Sequence, residues 1–329
     1  MKAVWYERCG PAAEVLCYGE QPTPSAGPGE VRVRLEASGV NPADAGRRAG
    51  NYRGLEFPLV IPNSDGAGII DQVGDGVTRL KLGQRVWLFN GQRNGRALGT
   101  AAEYIALAEQ LVTPLPDQVS FAQGATLGIP AMTAWCSLFA DGPLVGKTVL
   151  VTGGAGAVGH YAVQLAKWGG ARVIATVSSA AKAEQARLAG ADLVINYRSE
   201  DVVAKALAFT DRRGVDHVVE VDFGGNVATT PKLMAVNSTI AVYATVGNRT
   251  PVVPVRELME RCVNLRGLVL FALPWKLLSA AQADITKWLV AGKRLHNIAG
   301  QHPLSETAEA HLAVEKGGKL GTVIVDCAR

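Results

Sequence analysis

Residues 149–159 read Val-Leu-Val-Thr-Gly-Gly-Ala-Gly-Ala-Val-Gly, a spacing that suits the close seating of a pyrophosphate. A short apolar run, Thr148 to Thr152, predicts a buried strand. An amphipathic helix is predicted after the glycines, with Val158, Ala162 and Leu165 on one face. Between them Gly154, Gly156 and Gly159 form Gly-x-Gly-x-x-Gly. The first glycine permits a tight turn, the second lets backbone approach a diphosphate, and the third lets the helix pack closely on the strand. Free N–H groups and the helix dipole then favour an anion. A second predicted strand, Arg172 to Val177, follows at the distance a dinucleotide-binding fold requires. The alternative is a glycine-rich strand-to-helix turn that holds nothing.

The end of that second strand chooses between dinucleotides. An Asp or Glu there bonds the free ribose 2′-hydroxyl of NAD. This chain has Val177-Ser178-Ser179-Ala180-Ala181-Lys182, with no carboxylate before Glu184. A carboxylate would repel a 2′-phosphate, whereas two hydroxyls and an ammonium would hold it. Ser179 is also placed to cap the next helix and to gather N–H groups and Lys182 around one point. A third strand, Leu193 to Asn196, runs into Tyr197-Arg198, which can reach the adenine end. The pattern predicts NADPH over NADH. The competing reading is that Ser179 is a plain cap and Lys182 a solvated helix residue.

These residues need a framework. A chain of 329 residues with 48% hydrophobic content predicts two domains with sizeable cores. Residues 1 to about 121 carry short alternating runs between Gly, Pro and Asp turns, as in Val31 to Glu36, Ala67 to Val73 and Arg85 to Phe89. From Phe121 onward, predicted strands at 148–152, 172–177, 193–196, 217–222, 238–243 and 265–270 alternate with helices. That is an α/β pattern, a doubly wound parallel sheet of about six strands. A final strand, Gly321 to Asp326, is expected to return to the first domain. The net charge of +4 is too mild to argue for nucleic acid or a membrane surface. Five scattered cysteines without a Cys-x-x-Cys pair suit a reducing compartment. The run from Val263 to Trp275 is broken by Arg266, and the amino terminus lacks a signal-peptide core, so a cytoplasmic protein is expected.

Taken together, several ordered motifs resemble the medium-chain dehydrogenase/reductase superfamily, and within it the zinc-free, zeta-crystallin-like quinone oxidoreductases. They are Ser38-Gly39-Val40-Asn41-Pro42-Ala43-Asp44, Asp65-Gly66-Ala67-Gly68, the stretch Gly74 to Val86, Gly128 to Trp135, the glycine turn, Lys182 to Tyr197, and His302 to Gly321. The resemblance implies a GroES-like β-barrel catalytic domain, residues 1–121 completed by 271–329. It implies a Rossmann NADPH-binding domain over 122–270, with the cofactor in the cleft between them. It also implies a homodimer that pairs the last Rossmann strands, here Leu265 to Leu270, edge to edge. An apolar edge strand independently favours such pairing.

Zinc-dependent members hold their metal with a Cys where this chain has Asn41, and with a Gly-His-Glu segment where it has Asn63-Ser64-Asp65. A lone Asp is not a tetrahedral N/S site, so no metal is expected. A carbonyl must then be polarised by hydrogen bonds alone. Hydride transfer to a quinone, or to the β-carbon of an enone, meets that limit because charge spreads onto oxygen. The resemblance places Asn41 by the nicotinamide ribose and the substrate, and Thr133 at the nicotinamide. It puts Gly154, Ala155, Gly156, Ala157 and Val158 on the pyrophosphate. Ser178, Ser179, Lys182 and Tyr197 fall to the adenosine phosphate, and Tyr243, Val269 and Leu270 to the cofactor cleft. Tyr52 is the candidate substrate-side hydroxyl and proton donor. Many relatives carry a second Tyr where this chain has Gly46. Asp222 replaces a small neutral residue and either caps the next turn or sits near the nicotinamide ribose. Arg47, Arg48 and Arg53 are candidates for steering anions. The expected partner is a small-molecule quinone or enone. The rival outside enzymology is a crystallin-like or RNA-binding NADPH protein, which 6% aromatic content and mild charge disfavour.

Overall fold

A computed structural model describes residues 1–52 and 54–328. The amino-terminal part contains β1 (Lys2–Trp5), β2 (Cys17–Glu20), β3 (Glu30–Val40), β4 (Asp65–Val73), β5 (Arg85–Leu88), β6 (Tyr104–Ala108) and β7 (Val112–Pro114), with burial alternating along the first part of β3 and along β6. The long strand β3 organises them. On one side it pairs antiparallel with β4 throughout. On the other, Glu30–Arg34 pair with β6 and Ala37–Val40 pair with a strand from the far end of the chain. The β3–β4 register shifts between Leu35 and Ala37, level with the point where the partner on the other side changes from β6 to the far strand. The side chains of Val31, Val33, Leu35, Ile70, Val86, Leu88, Ile105 and Leu107 form the core of this unit.

The second framework is a parallel sheet of β8 (Thr148–Val151), β9 (Arg172–Val177), β10 (Leu193–Asn196), β11 (Val215–Glu220), β12 (Met234–Val242) and β13 (Asn264–Gly267). Its spatial order, β10-β9-β8-β11-β12-β13, is the Rossmann order 3-2-1-4-5-6. Strand β8 is buried at every position, as a central parallel strand covered on both faces should be. The sixth strand ends earlier than the sequence suggests. Gly267 pairs with Val242, the last residue of β12, so the ladder has no partner beyond it. Val269 and Leu270 therefore lie past the strand, and Leu270 opens a 3-10 turn.

The carboxy-terminal strands β14 (Ile298–Pro303) and β15 (Thr322–Asp326) join the barrel sheet, β15 running antiparallel to β3. The chain divides into one unit of 1–130, 289–291 and 296–329 and another of 131–288 and 292–295. The sequence placed these boundaries at 121/122 and 270/271. Residues beyond 121 stay with the first unit because Gly39 packs against the Ala125 carbonyl and Ile129 bonds Asp65. The helix Trp275–Val290 stays largely with the second, where Trp288 meets the Tyr161 ring edge-on at 6.0 Å.

Candidate functional site

In the second unit the chain leaves β8 through Thr152 and turns at Gly153, whose φ of +66° is left-handed. The tight turn thus falls to Gly153, not to the first glycine of the fingerprint. Gly154 is required for a different reason: a Cβ there would lie 2.7 Å from that of Ala175 on β9. A Cβ on Gly159 would stand 2.1 Å from the Gly153 carbonyl oxygen, which is the helix-to-strand closeness expected of the third glycine. Gly156 meets only that same carbonyl, at 3.3 Å, so its bareness serves approach from outside. The Gly154 N–H bonds Thr176 and the Gly156 N–H bonds Gly153. Those two amides are therefore taken internally. The N–H groups of Ala155, Ala157 and Val158 have no partner among the described residues, and the helix Gly159–Trp168 begins directly behind them.

The end of β9 gathers the predicted phosphate group. Ser179 caps the helix Ala180–Leu188, accepting from the Lys182 N–H at 3.4 Å. The Lys182 ammonium folds back to Ser178 Oγ at 3.1 Å. The Tyr197 N–H bonds the Val177 carbonyl, which brings this exposed tyrosine beside the same strand end. Thr133 is buried in the helix Met132–Phe139. Tyr243 lies one residue past β12, half-buried, and burial near Glu220 pushes its phenol far above the ordinary range. Val269 is exposed and Leu270 buried.

Asp222 takes the first of its two expected roles. Its carboxylate caps the helix Phe223–Asn226 through the Gly225 N–H, and accepts from the Val246 and Gly247 N–H groups at 2.9 Å. Beside it sits a residue that the sequence reading passed over. Glu220 is fully buried, yet receives Thr152 Oγ1, the Asp222 N–H, Asn226 Nδ2 and Thr230 Oγ1. It ties the end of β8 to the loop after β11. The signal was a carboxylate closing an otherwise apolar strand, a group that must find partners when buried.

In the first unit Asn41 starts the helix Pro42–Ala49 and is only 2% exposed. Its amide nitrogen lies 2.8 Å from Asp65 Oδ2 and 3.2 Å from Asp44 Oδ2. Asp44 accepts from Ser64 Oγ at 2.8 Å and pairs with Arg93 at 2.7 Å, wholly out of solvent. Burial, then the charge of Asp44, push the Asp65 carboxyl well above the usual carboxylate range. An Asp three residues after an Asn helix start was a readable capping signal. The ion pair with Arg93 was not. Tyr52 lies over Gly46: a Cβ there would fall 2.7 Å from its ring, so the glycine provides the seat on which the phenol rests. Tyr52 itself is 64% exposed. Arg48 is fully buried, bonding Gly10 and Glu315, and Arg47 pairs with Glu56. They hold the fold and do not crowd a binding loop as free cations; Arg53 lies outside the described residues.

Residues 27–117 match the alcohol dehydrogenase GroES-like domain and residues 157–283 the zinc-binding dehydrogenase domain. A quinone oxidoreductase of Rattus norvegicus is 30% identical over 90% of this chain and 88% of its own. The chain belongs to the quinone oxidoreductase family. It is an oxidoreductase of the zinc-free branch of the medium-chain dehydrogenase/reductases. A mycobacterial protein complexed with NADPH superposes with a TM-score of 0.86 at 28% identity, covering 99% of both chains. A 2-methylene-furan-3-one reductase of Solanum lycopersicum is 37% identical over 61% of this chain and 53% of its own. The second domain's family name implies zinc, but this oxidoreductase's residues do not fit it. At the ligand slots Asn41 donates to Asp65 in place of a Cys and a His presenting lone pairs to a metal. Among the described residues no group of three or more His, Cys, Asp or Glu is placed to hold a metal ion. No described helix is long and apolar enough to cross a membrane.

Proposed function

We propose that this oxidoreductase binds NADPH and reduces quinones by hydride transfer without a metal. The observation that carries the cofactor choice is the convergence of Ser178, Ser179 and Lys182 at the end of β9, where an NAD enzyme would carry a carboxylate. Ala155, Ala157 and Val158 offer their N–H groups to the pyrophosphate, with Gly154 and Gly156 giving it room. Thr133, Tyr197, Tyr243, Val269 and Leu270 stay as candidates on the cofactor side. The bound cofactor would supply the hydride. Asn41 and Tyr52 of the first unit are the candidates for orienting groups, and Tyr52 for delivering a proton. The quinone takes up one hydride and one proton and leaves as a hydroquinone, while the cofactor leaves oxidised.

The likeness to the tomato reductase supports a second reading, reduction of the C=C bond of an enone, which uses the same hydride geometry. The test follows loss of reduced-nicotinamide absorbance with a benzoquinone and, separately, with an alkyl enone. Turnover with the quinone alone is expected. Turnover with the enone alone would move the assignment to the second reading. In the same assay Tyr52→Phe should slow turnover if the phenol delivers the proton; an unchanged rate with both substrates would remove that role. We further propose a homodimer built on the edge strand β13.

A further inference from the structure

Asn41 has two kinds of group to offer a ligand, and its surroundings leave it one. Its Nδ2 faces two carboxylate oxygens, Asp65 Oδ2 at 2.8 Å and Asp44 Oδ2 at 3.2 Å. A carboxylate oxygen accepts, so the amide turns both of its hydrogens inward. Asp44 is held as an acceptor by the Arg93 guanidinium, 2.7 Å away. Asp65 Oδ2 also receives the Ile129 N–H at 2.8 Å. Two N–H groups on one oxygen direct any proton on Asp65 to the other. That other oxygen, Oδ1, is buried with no hydrogen-bond partner among the described residues. It occupies the space a side chain on Gly128 would need, since a Cβ there would come within 2.2 Å of it. Asp65 Oδ2 therefore accepts whether or not the carboxyl is charged. The carbonyl oxygen of Asn41 faces the Asp44 N–H in the capping box and keeps its second lone pair, which is what Asn41 has left for a ligand.

We propose that Asp65 and Asp44 are positioning residues that fix Asn41 as a hydrogen-bond acceptor, so that it binds a hydroxyl of the ligand and does not donate to a substrate carbonyl. The proposal rests on the reading of Asn41 as a site residue. An acceptor oxygen attracts an O–H and repels a quinone oxygen. The hydroxyl belongs to a sugar of the cofactor or to a hydroquinone product, and Asn41 gives no hydrogen bond to the developing negative oxygen.

The test measures equilibrium binding of NADPH by fluorescence and of benzohydroquinone by calorimetry, on the full-length protein and on two variants whose folding is checked by thermal melting. In Asp65→Asn the side-chain oxygen is drawn to the Oδ2 position by Ile129 and Asn41, and the amino group takes the partnerless Oδ1 position. Binding should stay within about twofold of the original. Asp65→Ala releases the Asn41 amide, and the ligand that supplies the hydroxyl should bind about tenfold more weakly. A loss confined to NADPH identifies a cofactor hydroxyl; one confined to benzohydroquinone identifies the product. Unchanged binding of both in Asp65→Ala, or an equal loss in Asp65→Asn, overturns the proposal. Should Asp65→Ala fail to fold, the Asn41 side-chain amide of the unaltered protein decides. Both Nδ2 protons should exchange slowly with solvent in nuclear magnetic resonance spectra, and free exchange of either overturns the proposal. Lack of turnover with quinones and enones would unseat the reductase reading yet leave these binding measurements intact.

Discussion

Lys182 is the side chain whose removal should separate the two nicotinamide cofactors. Its ammonium is anchored on Ser178 at a strand end that lacks a carboxylate, and the only atoms that distinguish NADPH from NADH are those of the 2′-phosphate. Lys182→Ala should weaken NADPH about tenfold and leave NADH unchanged, as read by fluorescence titration. An equal loss for both would show that Lys182 supports the helix instead. Asp65 makes a prediction of opposite electrostatic character. Its native carboxyl titrates above the ordinary 3.8, because burial and Asp44 disfavour its charge. The folded protein then holds a proton that the unfolded chain has released. This contribution to stability is complete below 3.8 and is lost as pH rises through the raised native value. Asp65→Asn cannot ionise there. Its melting temperature relative to the original should therefore be higher near pH 8 than near pH 4. A difference that does not change with pH would mean that Asp65 titrates normally.

At the scale of the strand-turn-helix element, the glycines divide into those that build the turn and one that leaves it open. Gly159→Ala forces a methyl group to 2.1 Å from the Gly153 oxygen and should cost about 1–3 kcal/mol of stability, lowering the melting temperature. Gly156→Ala meets nothing closer than 3.3 Å. It should melt as the original does yet bind NADPH at least about tenfold more weakly, because the methyl group stands where a pyrophosphate must approach. If Gly156→Ala bound normally, the turn would not be the phosphate seat. This element was legible from the chain because apolar runs bounded by glycine carry their period and their ends locally. The end of β13 was not, because it is set by where β12 stops, a tertiary fact. The same holds for the first unit's site. Asn41 and Asp44 announce themselves three residues apart, whereas Arg93 reaches Asp44 across 49 residues and Glu220 finds Thr152 across 68. Local spacing shows that a polar group is buried only when its partner is near in sequence.

Over the whole molecule, the parallel sheet ends in two edge strands among the described residues, β10 and β13, and it is the second that carries exposed apolar side chains. Strand β13 pairs with β12 on one side, and the other presents unpaired N–H and C=O groups. Large apolar side chains stand out of the surface on and around it: Leu265 on the strand, Val269 just after it, and Val255 and Met259 on the helix Val255–Glu260 before it. Natural proteins protect such an edge with charge, a bulge or a covering element. Here the one cation within β13, Arg266, is drawn inward to Asp141 and to the carbonyls of Cys136 and Ser137, so it does not guard the edge. The arrangement fits pairing with the same strand of a second copy, related by a two-fold axis. Sedimentation should accordingly give about twice the 34.6 kDa of one chain. Leu265→Lys, which puts two like charges near the axis, should shift the population toward single chains. The glycine turn and the Lys182 cluster lie at the ends of other strands, so each separated chain should still bind NADPH with its original affinity. A single-chain mass for the unaltered protein at micromolar concentration would refute edge pairing. Loss of NADPH affinity on separation would mean instead that the interface supports the cofactor site.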